Sequence, residues 1–100
     1  MNRLRKRQQQ LAFSNLQYAI LLALEEKFGQ DASLVDDVKN LVSELEGKMF
    51  RGWQTQMTAR KEIERLIRKH LRKYLRERGL TLQELDLLYQ KVLEKVKTYG

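Results

Sequence analysis

The segment from Trp53 to Arg78 constrains the fold more than any other part of this sequence. Within it, mostly apolar residues recur at spacings of three and four: Ile63, Leu66, Ile67, His70, Leu71, Tyr74 and Leu75. A repeat of about 3.6 residues places these side chains on one side of an α-helix, and that side must be buried against another element. The segment therefore predicts a long amphipathic helix inside a helical domain.

The other side of this helix is strongly basic. It carries eight Lys and Arg side chains: Arg60, Lys61, Arg65, Arg68, Lys69, Arg72, Lys73 and Arg76. Residues 55–78 contain nine basic and three acidic residues, whereas residues 11–54 contain four basic and seven acidic ones. Charge concentrated in this way predicts an anionic partner, either DNA or RNA or an acidic protein surface. The alternative is that these cations only solvate an exposed helix face.

The composition favours helices along the whole chain of 100 residues. No proline is present to interrupt a helix, and the β-branched residues are too scattered to form strands. A chain of this length, 42% hydrophobic, can bury one modest core. We therefore predict an all-α fold, an antiparallel bundle of about four helices. Residues 1–10 are expected to form a basic tail or helix extension, and residues 11–100 a single helical domain.

Turn and capping residues predict the helix boundaries. The predicted helices cover residues 11–28, 34–46, 55 or 58 to 78, and 82–98. Ser33 is the expected N-cap of the second helix, and Thr55 or Thr58 that of the third. Thr81 and Glu84 have the spacing of a capping box at the start of the fourth helix. A glycine follows each of the first three helices, as is typical of helix ends.

The connection between the second and third predicted helices contains three large apolar residues, Met49, Phe50 and Trp53. We predict that they form a structural plug that packs the connection against the core. A platform on which nucleobases stack is the alternative, because aromatic residues interleaved with basic ones serve that purpose in proteins that bind single strands.

The sequence lacks the residues on which most catalysis depends. It has no cysteine and a single histidine, His70, which lies on the apolar side of its helix and is expected to be a core or boundary residue. No glycine-rich phosphate-binding loop is present. We predict no catalytic site, no metal and no cofactor. No run of about 18 apolar residues is long enough to span a membrane, and we predict a cytoplasmic protein.

Residues 41–74 resemble the helical C-terminal region of the restriction (R) subunit of type I restriction-modification enzymes. The resemblance rests on Trp53 in the connection and on the helix that opens with Arg60. The matching apolar positions of that helix are Ile63, Ile67, Leu71 and Tyr74. Residues 82–99 correspond to the last helix of the region, and residues 11–16 to its apolar-aromatic helix. The sequence departs from the family at Gly52, where an aspartate usually precedes the tryptophan.

The resemblance implies an excised or naturally separate copy of that C-terminal domain. The upstream nuclease and ATP-driven motor motifs of the family are absent from this sequence. Its expected role is a non-catalytic assembly module that docks onto a methyltransferase subunit or onto the rest of an R subunit. The basic helix would then offer Arg65, Arg68, Lys69 and Arg72 to an acidic protein surface or to nearby DNA. A small DNA- or RNA-binding domain and a self-associating bundle remain alternatives.

Overall fold

The structure, a computed structural model, describes residues 3–99, and their side chains from Lys6 onward. Residues 1 and 2 of the predicted tail and residue 100 of the predicted domain lie outside the described residues. The helices are α1 (Arg3–Leu11), α2 (Asn15–Phe28), α3 (Ala32–Glu46), α4 (Met57–Arg72), the single turn α5 (Tyr74–Glu77) and α6 (Leu82–Tyr99). A 3₁₀ turn (Trp53–Thr55) precedes α4. The predicted all-α helical bundle is confirmed.

Four of these helices surround one core. Helix α2 packs against α3 and α6, and α4 packs against the same two helices. Side-chain pairs show that α3 and α4 run in opposite directions. Glu44, late in α3, contacts His70, whereas Asp37, earlier in α3, contacts Lys73. An antiparallel arrangement follows from these pairs, as it does from the short connections between helices.

The apolar stripe of α4 and α5 lies in this core, as its spacing predicts. Ile63, Ile67, Leu71 and Tyr74 are buried, and Leu66 is half-buried against them. The other bundle helices contribute the following buried residues: Leu16, Tyr18, Ile20, Leu21, Ala23, Leu24, Leu34, Val38, Leu41, Val42, Leu45, Leu88, Tyr89, Val92 and Val96. Helix α2 is apolar on two sides because it contacts both α3 and α6.

The start of the first predicted helix was wrong. Helix α2 begins at Asn15 rather than at residue 11, and residues 3–11 form the separate helix α1. The helical conformation is interrupted at Ala12, whose φ of 56° is incompatible with a continuous right-handed helix. Ser14 then caps α2, because its hydroxyl accepts the Gln17 amide while the Gln17 side chain accepts the Ser14 amide. This capping box was readable in the sequence but not predicted.

Helix α1 is held to α2 by an ion pair. Both terminal nitrogens of the Arg7 guanidinium, Nη1 and Nη2, donate to the Glu25 carboxylate, and the Nη1–Oε1 distance is 2.6 Å. The Glu25 side chain is only 8% exposed. Such a two-point contact fixes the orientation of the two helices as well as their distance.

The start of α3 also differs from the prediction. The helix begins at Ala32 and its N-cap is Asp31, not Ser33. The Asp31 carboxylate accepts the backbone N–H and the hydroxyl of Ser33 and also receives the Arg78 guanidinium. These hydrogen bonds, that from the Ser33 amide first, lower the pKa of Asp31. The Asp31 carboxylate therefore caps α3 and also joins it to Arg78.

The predicted plug is correct for Trp53 and wrong for Phe50. Trp53 is 3% exposed and belongs to the core, with Met49 half-buried beside it, whereas Phe50 is 51% exposed. Neither predicted threonine caps the next helix. Helix α4 starts after Gln56, without a side-chain cap, and the Thr55 hydroxyl instead donates to the Gly52 carbonyl.

The end of the basic helix is interrupted. The prediction of one helix to residue 78 was wrong, because α4 stops at Arg72 and the chain continues through Lys73 into the short α5. The capping box at the start of α6 is confirmed. The Thr81 amide donates to Glu84 at 3.0 Å, and the Glu84 amide donates to the Thr81 hydroxyl at 3.1 Å.

Candidate functional site

Six cations line the exposed side of α4 and α5. We call them the α4 strip: Lys61, Arg65, Arg68, Lys69, Arg72 and Arg76. Each has an exposed side chain, and none forms an ion pair with an acidic residue in the described part of the chain. From Lys61 to Arg72 the strip covers about 16 Å at 1.5 Å per residue.

Two of the eight predicted basic-face residues are separated from this strip. Arg60 lies 3.9 Å from Glu64 of the next turn. Lys73 turns towards α3, where its ammonium pairs with the Asp37 carboxylate. Lys73 was predicted as a partner contact, but the structure gives it an internal partner that joins α5 to α3.

The flank of α4 that faces α3 carries little net charge. His70 contacts the Glu44 carboxylate, and this hydrogen bond lowers the pKa of Glu44. Lys48 lies 4.0 Å from Glu62. Lys73 is also paired, with Asp37. The basic residues of α4 without an acidic partner among the described residues therefore lie on its solvent side and on the side that faces α6.

Arg68 is the member of the strip that also contacts an aromatic ring. Its guanidinium carbon lies 4.4 Å from the centre of the Tyr89 ring on α6. Tyr89 is buried, and that burial is the main cause of the raised pKa of its phenol. A guanidinium stacked on an aromatic face keeps its edge N–H groups free for an acceptor. Arg68 is therefore preorganised for a carboxylate or a phosphate.

The space between the cations themselves is open. Lys61, Glu64, Arg65, Arg68, Lys69 and Arg72 line a depression on one helix. Because one convex helix supplies all of these side chains, the depression cannot enclose a small molecule. The α4 strip is suited to a macromolecular surface instead.

An apolar groove adjoins the α4 strip on its α6 side. The groove, which we call the α4–α6 groove, has a volume of about 200 Å³ and is lined by Arg68, Leu71, Arg72, Leu75, Leu82, Leu85, Asp86 and Tyr89. Leu82 is 74% exposed at its edge. Sequence reasoning missed this groove. The sequence did contain a signal for it: Leu82 lies one turn before Leu85 and extends the apolar stripe of α6 to the first residue of that helix.

The loop residues do not join this site in the way a base-stacking platform requires. Trp53 is in the core and presents no free face, which leaves Phe50 as the exposed aromatic residue of the connection. A stacking surface for successive bases needs several exposed rings. The structure therefore brings together the six strip cations and the groove leucines, but not Met49, Phe50 and Trp53.

Residues 3–99 contain no group of three or more His, Asp or Glu side chains placed to hold a metal ion. None of the described helices combines the length and the apolarity that crossing a bilayer requires. Comparison of the chain with protein-family models, curated proteins and solved structures finds no match. The chemistry of its surface is therefore the basis for a functional proposal.

Proposed function

We propose that this chain is a non-catalytic docking module that attaches to an anionic protein surface through the α4 strip. The observation that carries the proposal is the strip itself, six exposed cations on one helix face without an acidic partner among the described residues. A strip with a large excess of positive charge steers and orients an anionic partner.

The groove beside the strip favours a protein partner over a phosphate backbone. Protein interfaces combine a desolvated apolar centre with arginine and aromatic residues. The groove leucines beside the α4 strip, Leu75, Leu82 and Leu85, provide such an apolar centre. Phosphate contacts would use the cations but would leave these leucines in water.

The resemblance described above gives this proposal a specific form. The chain would act in the cytoplasm as the C-terminal helical domain of a type I R subunit, holding the motor and nuclease subunit to the methyltransferase core. The resemblance supports this form through Trp53, Arg60 and the apolar positions of α4. The catalytic steps would then belong to other parts of the enzyme.

A second candidate function is binding of DNA or RNA. The length and net positive charge of the α4 strip favour it, since six phosphate contacts would give log affinity a slope of about −5 against log salt on duplex DNA. In this case the binding would be independent of base sequence, because no helix pair in the connection forms a recognition unit for the major groove.

The docking proposal is tested by removing charge in a matched way. The double variant Arg65→Ala/Lys69→Ala takes two cations from the strip. The control Lys39→Ala/Lys97→Ala takes two exposed cations from α3 and α6, so both variants have the same net charge. Calorimetric titration against the methyltransferase core of a type I enzyme should show a loss of about tenfold in affinity, or 1.4 kcal/mol, for the strip variant only.

The proposal fails if the unmodified chain does not bind the core at near-physiological salt, or if both double variants lose affinity equally. Fluorescence anisotropy with a short random DNA duplex separates the second candidate. Micromolar binding that persists at near-physiological salt and is lost with the strip variant would favour nucleic acid. Binding confined to low salt would show general attraction between opposite charges.

A further inference from the structure

The α4–α6 groove leaves leucine side chains uncovered at one end of the bundle. Its apolar lining consists of the buried Leu71 and Tyr89, the half-buried Leu75 and Leu85, and the exposed Leu82. Leu82 is the first residue of α6, one turn before the point where the helix meets the core. Water at this site covers apolar surface that another side chain could cover more favourably.

The size of the groove limits what can occupy it. Its volume of about 200 Å³ is below the range of roughly 300–1,000 Å³ in which most small-molecule and cofactor sites lie. The exposed Leu82, Arg72 and Asp86 in its lining show that the groove is open to solvent. One large apolar side chain fits these limits, presented by a segment that lies across the surface.

The charges around the groove determine which segment that can be. Arg68 and Arg72 stand on the α4 side, with the rest of the α4 strip beyond them, whereas Asp86 stands on the α6 side. Asp86 receives a hydrogen bond from Gln90 at 3.0 Å and forms no ion pair in the described part of the chain. A second copy of this chain would bring a second basic strip close to the first, and like charges oppose that arrangement.

From this arrangement we infer that the α4–α6 groove binds one leucine-sized side chain of an acidic amphipathic helix in the partner. The acidic residues of that helix lie over Arg68 and Arg72, and its opposite flank, over Asp86, is neutral or basic. The apolar anchor provides the specificity and the strip provides attraction and orientation. The inference rests on the proposed docking function and adds the chemistry of the partner segment.

The probe is a fluorescein-labelled helical peptide with glutamates along one flank, lysines along the other and a single central leucine. A second peptide replaces that leucine with alanine, and a third replaces the glutamates with glutamines. Fluorescence anisotropy at near-physiological salt measures the dissociation constant of each peptide for the full chain. We expect the leucine peptide to bind about tenfold more tightly than the alanine peptide.

Leu82→Ala is the variant that tests the groove, and Leu87→Ala is its matched control. Both leucines are exposed on α6, but Leu87 lies outside the groove, beside Lys91 and Glu94. Leu82→Ala should weaken the leucine peptide by about tenfold and leave the alanine peptide unchanged. Circular dichroism confirms that each variant folds, as expected for side chains that are mostly in water.

The inference is overturned if Leu82→Ala and Leu87→Ala have the same effect, or if the leucine and alanine peptides bind equally. It is also overturned if no peptide binds, or if the glutamine peptide binds as well as the first. Any of these results would leave the docking proposal intact provided that Arg65→Ala/Lys69→Ala still weakens binding to the methyltransferase core. If that double variant binds the core as well as the unmodified chain, the docking proposal itself fails.

Discussion

Asp37 joins α3 to α5 and offers a direct measurement of how this bundle is held together. Its carboxylate accepts the Tyr74 hydroxyl at 2.6 Å and pairs with the Lys73 ammonium. Tyr74 is 1% exposed, so its hydroxyl depends on Asp37 rather than on water. Burial, and then the hydrogen bond to Asp37, raise the pKa of the Tyr74 phenol and keep it a neutral donor.

We predict that Asp37→Ala lowers the free energy of unfolding by about 2–3 kcal/mol. A hydrogen bond to a charged acceptor contributes about 1.5–3 kcal/mol, and its loss leaves the buried Tyr74 hydroxyl unpaired. The ion pair adds less than about 1 kcal/mol because the Lys73 side chain is 38% exposed and screened by solvent. At roughly 4–8 °C per kcal/mol for a domain of this size, Tm should fall by about 10–20 °C.

Urea unfolding followed by circular dichroism measures this loss. The control is Asp36→Ala, an exposed aspartate one residue away that has no side-chain contact to α5, and its stability should change by less than about 0.5 kcal/mol. In a Tyr74→Phe background, Asp37→Ala should be less costly, because the donor is already absent. Equal losses in both backgrounds would refute the assigned role of the hydrogen bond.

Two further predictions concern the capping box and the connection. Hydrogen bonds from Lys27 and then from the Thr81 amide hold the pKa of Glu84 at about 2, below its ordinary 4.5. The folded-state pKa is the lower one, so this stabilisation is complete above about pH 5 and is lost as the pH falls towards 2. Glu84→Gln should reduce the fall in Tm between about pH 5 and pH 2, measured in thermal melts. An unchanged fall in Tm over this range would contradict the assigned role of Glu84. Trp53→Ala should lower stability by about 3–5 kcal/mol and Phe50→Ala by less than about 0.5, measured by urea unfolding. Similar losses for the two would show that the connection packs differently.

The helices were predictable from the sequence because their signals are local. The 3.6-residue period of Ile63, Ile67 and Leu71 survives in the core without change. The Thr81–Glu84 capping box forms as its spacing indicates, because both hydrogen bonds lie within one turn. The errors at residue 11 and at Ser33 came from local competition, in which the caps Ser14 and Asp31 prevailed over the predicted starts.

The candidate site was only half predictable. All six members of the α4 strip were named from the sequence, since their common helix face follows from spacing alone. The pairing of Lys73 with Asp37 was not foreseen, because 36 residues separate them along the chain. The same holds for the position of Arg68 on Tyr89, which depends on how α4 and α6 pack.

By itself, therefore, the sequence determined that the chain forms helices, which side of each helix is apolar and where the positive charge lies. These properties follow from interactions within one or two turns. The tertiary structure decided which cations lack an acidic partner among the described residues. It also decided that Phe50 is outside the core while Trp53 is inside it, and that Leu82 borders a groove. Those outcomes depend on which helices become neighbours, and that choice is made by the packing of the whole core.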